Sequence, residues 1–122
     1  MKTRLIIEIA GSPKEHVEEV MKQIIQKVQQ EKKVLKYNIF EAEQRGKLFS
    51  TFTEIDIDFS NFEELIGFCL DYMPSSIEIL DEKIDIKREE TENVVNDLLA
   101  KLHEYDMTLK NLKAELILRK SN

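Results

Sequence analysis

The apolar residues of this chain change their spacing from every second position to every third or fourth and back, twice over, before settling into one long helical pattern. That order constrains the fold more than any other feature, because a spacing of two fits one face of a strand and a spacing near 3.6 fits one face of a helix. In TRLIIEIA, Leu5, Ile7 and Ile9 share one parity, as in a strand with one buried face that ends at Gly11. SPKE then supplies Ser12 as N-cap, Pro13 at the first helical position and Glu15 three residues after the cap. The helix that starts there carries Val17, Val20, Met21, Ile24 and Val28 on its inward stripe and runs to about Lys32.

Leu35, Tyr37 and Ile39 alternate with Lys36 and Asn38 in a second strand over 34–42, with Phe40 out of parity. A turn at Gly46 in EAEQRGK leads to the clearest strand of the chain, LFSTFTEIDIDFS, where Ile55, Ile57 and Phe59 face inward and Glu54, Asp56 and Asp58 face water. Ser60 with Glu63 repeats the capping pattern, and Phe62, Leu65, Ile66, Cys69 and Met73 form the inward stripe of a second helix. In DYMPSSIEIL, Pro74 disfavours helical geometry at Met73 and lacks an amide hydrogen, so the helix stops there and Ile77 and Ile79 restart strand alternation. Strand, helix, strand, strand, helix, strand is the order of a ferredoxin-like βαββαβ plait, an α+β fold whose four-stranded antiparallel sheet carries both helices on one face. The order predicts this α+β domain over 1–87 and a long helix over 88–122, with DEKIDIKREE either extending the fourth strand or leading into the helix.

The last segment has a pattern of its own. Val95, Leu98, Leu102, Tyr105, Leu109, Leu112 and Leu116 are spaced three and four in strict alternation over three heptads, the 3.5-residue period that keeps a stripe facing a partner helix in a coiled coil. Lys101, Asp106, Lys113 and Glu115 flank the stripe, and no Gly or Pro interrupts residues 88 to 122. Val94, Leu99, Ile117 and Leu118 widen the apolar face, so packing of this helix against its own domain stands as the alternative to pairing with another chain.

At 122 residues, 42% hydrophobic and 34% charged, the chain has enough material for one core and one appendage. A net charge of −6 works against nucleic acid and against anionic membrane surfaces, which recruit clustered Lys and Arg. Cys69 has no disulfide partner within the chain, and no stretch approaches the ~20 apolar residues of a membrane helix. The apolar run in MKTRLIIEIAGSP is broken by Glu8 and too short for a signal peptide, so the expectation is a soluble, cytoplasmic protein.

Candidate chemistry is sparse. The open sheet face is expected to show Glu8, Glu54, Asp56, Asp58 and Glu78, with Ile6, Phe40, Phe52 and Leu80 toward its margins. An acidic centre opposes base stacking, and parallel strand carboxylates fit a solvated face better than a cation site. His103 and Asp106 share a helix face without a nucleophile beside them, His16 reads as a surface residue, and Cys69 reads as a small core side chain. Gly11, Gly46 and Gly67 are isolated, which excludes a glycine-rich phosphate loop. Tyr72 falls off the inward stripe of its helix and, with Asp71, is a candidate recognition pair beside a proline-fixed turn. No catalytic residue, metal or cofactor is expected.

FEELIGFCLDYMPSSIEIL resembles a group of small archaeal proteins of unassigned function that combine a plait with a trailing helix. At the level of the fold the chain is also similar to ACT-type regulatory domains. That resemblance implies sheet-mediated dimers and a small effector bound near the first strand–helix loop, here AGSP, with Ala10, Gly11 and Ser12 as ligand-loop residues. The sequence therefore reads as a non-enzymatic interaction or assembly module that forms a homodimer or engages a protein partner. A ligand-binding ACT-type domain is the alternative, and an RNA-associated protein the remote one.

Overall fold

The computed structural model describes residues 1–121. It has five strands, β1 (Lys2–Gly11), β2 (Val34–Ile39), β3 (Glu43–Arg45), β4 (Leu48–Asp58) and β5 (Ser76–Ile79), and three helices, α1 (Lys14–Glu31), α2 (Phe62–Tyr72) and α3 (Arg88–Ser121). Two compact units divide the chain, Met1–Asp85 and Ile86 onward. The first is an α+β unit and the second is built on α3.

All strand pairs in the sheet are antiparallel, and the order is β2-β4-β1-β5, with β3 on the same edge of β4 as β2. β4 is long enough to serve both, pairing β3 through Leu48 to Ser50 and β2 through Thr53 to Ile57. Between them the chain jogs at Phe40, where the Phe40 N–H donates to the Phe52 carbonyl at 3.0 Å and the Thr51 hydroxyl donates to the Phe40 carbonyl. The second strand therefore stops at Ile39 and does not reach Ala42 as its sequence suggests, and the turn region yields the extra strand β3. Gly46, at φ +64°, makes the two-residue turn between β3 and β4, a conformation that right-twisted hairpins need and that glycine adopts without strain.

The pleat sends Thr3, Leu5, Ile7, Thr53, Ile55 and Ile57 to one face, and all are buried there. Leu5, Ile7, Ile55, Ile57 and Phe59 form one core with Met21, Ile25 and Val28 of α1 and Leu65 and Phe68 of α2, so both helices cover the same sheet face. At ~25 cal/mol per Å² of apolar surface, this shared core is the main stabilising term of the unit. β5 is the thin edge of that face. Ile77 and Ile79 lie opposite Leu5 and Thr3 yet remain 43% and 37% exposed.

Both helix starts lie one residue later than the capping patterns suggest, and the two shifts have different consequences. Pro13, extended at φ −77° and ψ 176°, takes the cap position of α1, and the first helical bond runs from the Val17 N–H to the Pro13 carbonyl at 3.1 Å. Ser12 is left in the connection, and the buried stripe is Val17, Met21, Ile25 and Val28, with Ile24 at its margin. In α2 the cap is Asn61, not Ser60. Its side chain accepts from the Glu64 N–H at 2.8 Å while the Glu64 carboxylate accepts from the Ser60 N–H at 2.9 Å, a reciprocal box shifted by one. α2 turns Leu65 and Phe68 fully inward, with Phe62, Cys69 and Tyr72 packed at the rim, whereas Met73 lies 64% exposed. Pro74 disfavours right-handed helical geometry at Met73, which adopts a left-handed conformation at φ 49° and closes the helix.

Candidate interaction surface

α3 is 34 residues long, about 51 Å at 1.5 Å per residue, and carries the heptad seam along most of that length. Val95, Leu98, Leu102, Tyr105, Leu109, Leu112 and Leu116 are each between 37% and 61% exposed. Leu99, Met107, Ile117 and Leu118 are exposed as well, and Val94 is the only fully buried residue among the described part of the helix. An amphipathic helix normally turns its apolar stripe toward a core, and the stripe of α3 departs from that over three heptads. The flanks are charged. Lys101 pairs with Glu104 at 3.6 Å and Lys110 with Asp106 at 2.8 Å.

The second surface is the sheet face away from α1 and α2, and its electrostatics differ from the acidic centre read in the sequence. Arg4, on the same parity as Glu54 and Asp56, lies opposite Asp56 on one side and Glu78 on the other. Its guanidinium donates to both Asp56 oxygens, at 2.9 and 3.1 Å, and approaches Glu54 at 3.5 Å, while Lys36 comes within 3.8 Å of Asp56. The fork fits a carboxylate in two-point fashion. Asp56 is consequently 4% exposed on a face expected to be wet, and the Arg4 hydrogen bonds hold its carboxyl below the ordinary aspartate range against the opposing effect of burial. Among the described residues no group of three or more His, Cys, Asp or Glu is placed to hold a metal ion.

At the β3 end of this face Phe40 and Phe52 stack on one another at 4.3 Å with an interplanar angle of 18°. They border an open hollow of about 320 Å³ that Glu41, Glu43, Arg45 and Ser50 also line. Two phenyl rings that satisfy each other offer less to a planar ligand than two splayed ones, and two of the three charged groups of the hollow are carboxylates.

The remaining sequence candidates fall as follows. Ala10 and Gly11 belong to β1, in register with Ser50 and Phe49, so the AGSP loop contracts to Ser12 and Pro13. Tyr72 is partly exposed at the rim of the core. Its ring stacks on Phe68 at 4.6 Å and its hydroxyl donates to Glu31 at 3.0 Å, with Lys27 6.0 Å from the ring centroid. Partial burial, followed by the Glu31 carboxylate, raises its phenol above the ordinary tyrosine range. Asp71 beside it is exposed. Cys69 is half-buried, and burial pushes its thiol up, which makes it a poor nucleophile. His103 and Asp106 lie on exposed α3, the aspartate engaged by Lys110. Among the described residues no helix is long and apolar enough to cross a membrane.

The family model described as the MJ0538 family matches residues 2–120, across the α+β unit and nearly all of α3. The chain belongs to the MJ0538 family. The uncharacterized protein MJ0538 of Methanocaldococcus jannaschii is 29% identical over 103 residues, which cover 82% of this chain and 38% of that relative. The chain therefore spans well under half the length of its archaeal relative. No solved structure matches this member of the MJ0538 family.

Proposed function

We propose that this member of the MJ0538 family is a non-enzymatic assembly module that self-associates through the seam of α3. The observation that carries the reading is the seven-residue seam, exposed along three heptads of an uninterrupted helix. Burying a Leu side chain fully is worth roughly 1.5–3 kcal/mol, so each half-exposed seam residue has about 1 kcal/mol left to gain. Two copies of the seam gain on the order of 14 kcal/mol, which lies near the top of the ~4–15 kcal/mol cost of association. In this proposal the α+β unit is a ferredoxin-like plait, supported by the order β2-β4-β1-β5 with every neighbour antiparallel, to which β3 is a short addition. The module acts in the cytoplasm, where Cys69 stays a thiol.

A ligand-binding ACT-type reading has less support, since Ala10 and Gly11 are tied into the β1–β4 ladder. RNA recognition has less still, because Arg4 is committed to Asp56 and Phe40 and Phe52 stack on one another. Light scattering tests the proposal. The protein is expected to run at twice its 14.4 kDa chain mass at tens of micromolar, and Leu102→Glu with Leu109→Glu to run at the chain mass with its circular dichroism per residue largely kept. A wild-type chain that stays at 14.4 kDa up to ~100 μM, where even a weak interface with a Kd of ~10 μM is populated, refutes it.

A further inference from the structure

Resting on the reading above that α3 pairs with a second copy, we infer that the pairing is parallel and in register. The residues beside the seam decide the direction. With Val95, Leu102, Leu109 and Leu116 as one set of core positions and Leu98, Tyr105 and Leu112 as the other, the flanking positions are Val94, Lys101, Thr108 and Glu115 on one side and Leu99, Asp106, Lys113 and Lys120 on the other. In a parallel pair each residue of the first flank meets the residue five further along in the second copy. Val94 is already buried within its own chain, so the flanks that decide are the later ones: Lys101 meets Asp106 of the second copy, Thr108 meets Lys113 and Glu115 meets Lys120. Opposite charges meet twice, no like charges meet, and symmetry doubles each contact.

Antiparallel pairing fits worse in both registers that keep most of the seam. Centred on Met107 it retains Lys101 with Glu115 of the second copy, but it sets Asp106 against its own copy and Leu99 against Lys113. Centred between His103 and Glu104 it sets Leu99 against Asp106 and leaves Lys101 facing Thr108. Only the parallel register keeps all seven apolar layers. The Lys101–Glu104 and Asp106–Lys110 pairs already hold these charges on the flanks of α3, so pairing adds a cross-chain neighbour without moving the side chains to a new face. A parallel coil also brings the two Arg88 ends together, so that two α+β units issue from the same end of the coil.

The test is a single cysteine at a core layer far from any antiparallel match. In the full chain with Cys69→Ser, Leu112→Cys places the new thiols in one layer of a parallel coil. An antiparallel coil centred on Met107 separates them by about 15 Å, beyond the ~7 Å between Cα atoms that a disulfide tolerates. In a glutathione redox buffer the parallel pair is expected to give a disulfide-linked dimer in near-complete yield. A second variant checks the flanks without touching the seam. Lys101→Glu is expected to weaken dimerisation roughly fivefold or more, and Asp106→Lys in the same chain to restore it. Residues five apart do not face each other on one helix, so restoration reports the contact between chains. A dimer by light scattering with no disulfide, or with no restoration by the second charge change, overturns the parallel register and leaves self-association standing. A wild-type monomer overturns both.

Discussion

Thr53 carries the one buried side-chain polar atom without a hydrogen-bond partner among the described residues, and replacing it with valine should stabilise the α+β unit. Thr53 is fully buried on the helix-covered face of β4, between Ile7 of β1 and Ile39 of β2 in the ladder. Its two threonine neighbours on that face are satisfied, Thr3 through a 2.9 Å bond to the Ile57 carbonyl and Thr51 through the Phe40 carbonyl. A buried hydroxyl with no partner costs roughly 1–3 kcal/mol relative to its hydrated state. Valine replaces the hydroxyl with a methyl of similar size and is at home in a strand, so Thr53→Val is expected to gain about 1–2 kcal/mol. For a unit of this size 1 kcal/mol moves the melting temperature by ~4–8 °C. Thr3→Val is the control with the opposite sign, because it gives up a made hydrogen bond worth about 1 kcal/mol. Urea unfolding followed by circular dichroism, with an unchanged slope on denaturant, reads both. If Thr53→Val lowers the midpoint, or the two variants move together, the argument that the hydroxyl is stranded in the core is wrong.

Three further outcomes follow from particular contacts. Tyr72→Phe removes only the exposed bond to Glu31 and should change stability by less than about 0.5 kcal/mol, whereas Tyr72→Ala removes the ring stacked on Phe68 and should cost about 2 kcal/mol, both read from thermal melts; loss of a binding partner at an unchanged melt would instead mark Tyr72 as a recognition residue. Gly46→Ala meets no atom within 4 Å of the new Cβ, so its cost should be the left-handed backbone alone, about 1 kcal/mol in the same melts. The Asp56 carboxyl is held low by Arg4, so its contribution is present above the ordinary aspartate value of 3.8 and is lost as pH falls through the lower folded value; a melt series from pH 6 to pH 2 should therefore be flat in its upper half and fall in its lower half, with a shallower fall in Asp56→Asn.

What the sequence made legible was the period of each segment, and what it hid was phase. The strand character of β1 and β4 and the helical character of α1, α2 and α3 are carried by repeated spacings that no single residue can overturn. The inward face of α2 hinged instead on one choice between adjacent caps. Ser60 and Asn61 are both good caps, and the reciprocal bonds of Glu64 select Asn61, bringing Phe68 and Tyr72 to the core side in place of Ile66 and Met73. β3 has no apolar pattern to read, since Glu43, Gln44 and Arg45 are all polar, and it exists because the Gly46 turn returns the chain along β4. The burial of Asp56 is invisible to the parity of β4, which correctly puts it on the open face, because the side chain that covers it belongs to another strand. Arg4 occupies the same parity in β1, and the antiparallel register puts it directly opposite.

The same distinction separates the two candidate surfaces. On the open sheet face the informative residues are charged, and whether they form an available cluster or a closed account depends on cross-strand register, which spacing within one segment cannot supply. There Arg4 neutralises Asp56, Lys36 stands beside it, and Phe40 stacks on Phe52, so these groups engage one another. On α3 the seam and its flanks lie on one continuous helix, so period and phase are read together, and the exposure of the seam adds what spacing could not tell: its apolar side chains remain in contact with water. A surface whose groups are mutually satisfied needs no partner to lower its free energy. The seam of α3 leaves seven apolar side chains half-exposed, and in the proposed parallel pair it is their burial, with the matched flanking charges, that lowers the free energy, so the test of self-association belongs at Val95 to Leu116 and not on the sheet.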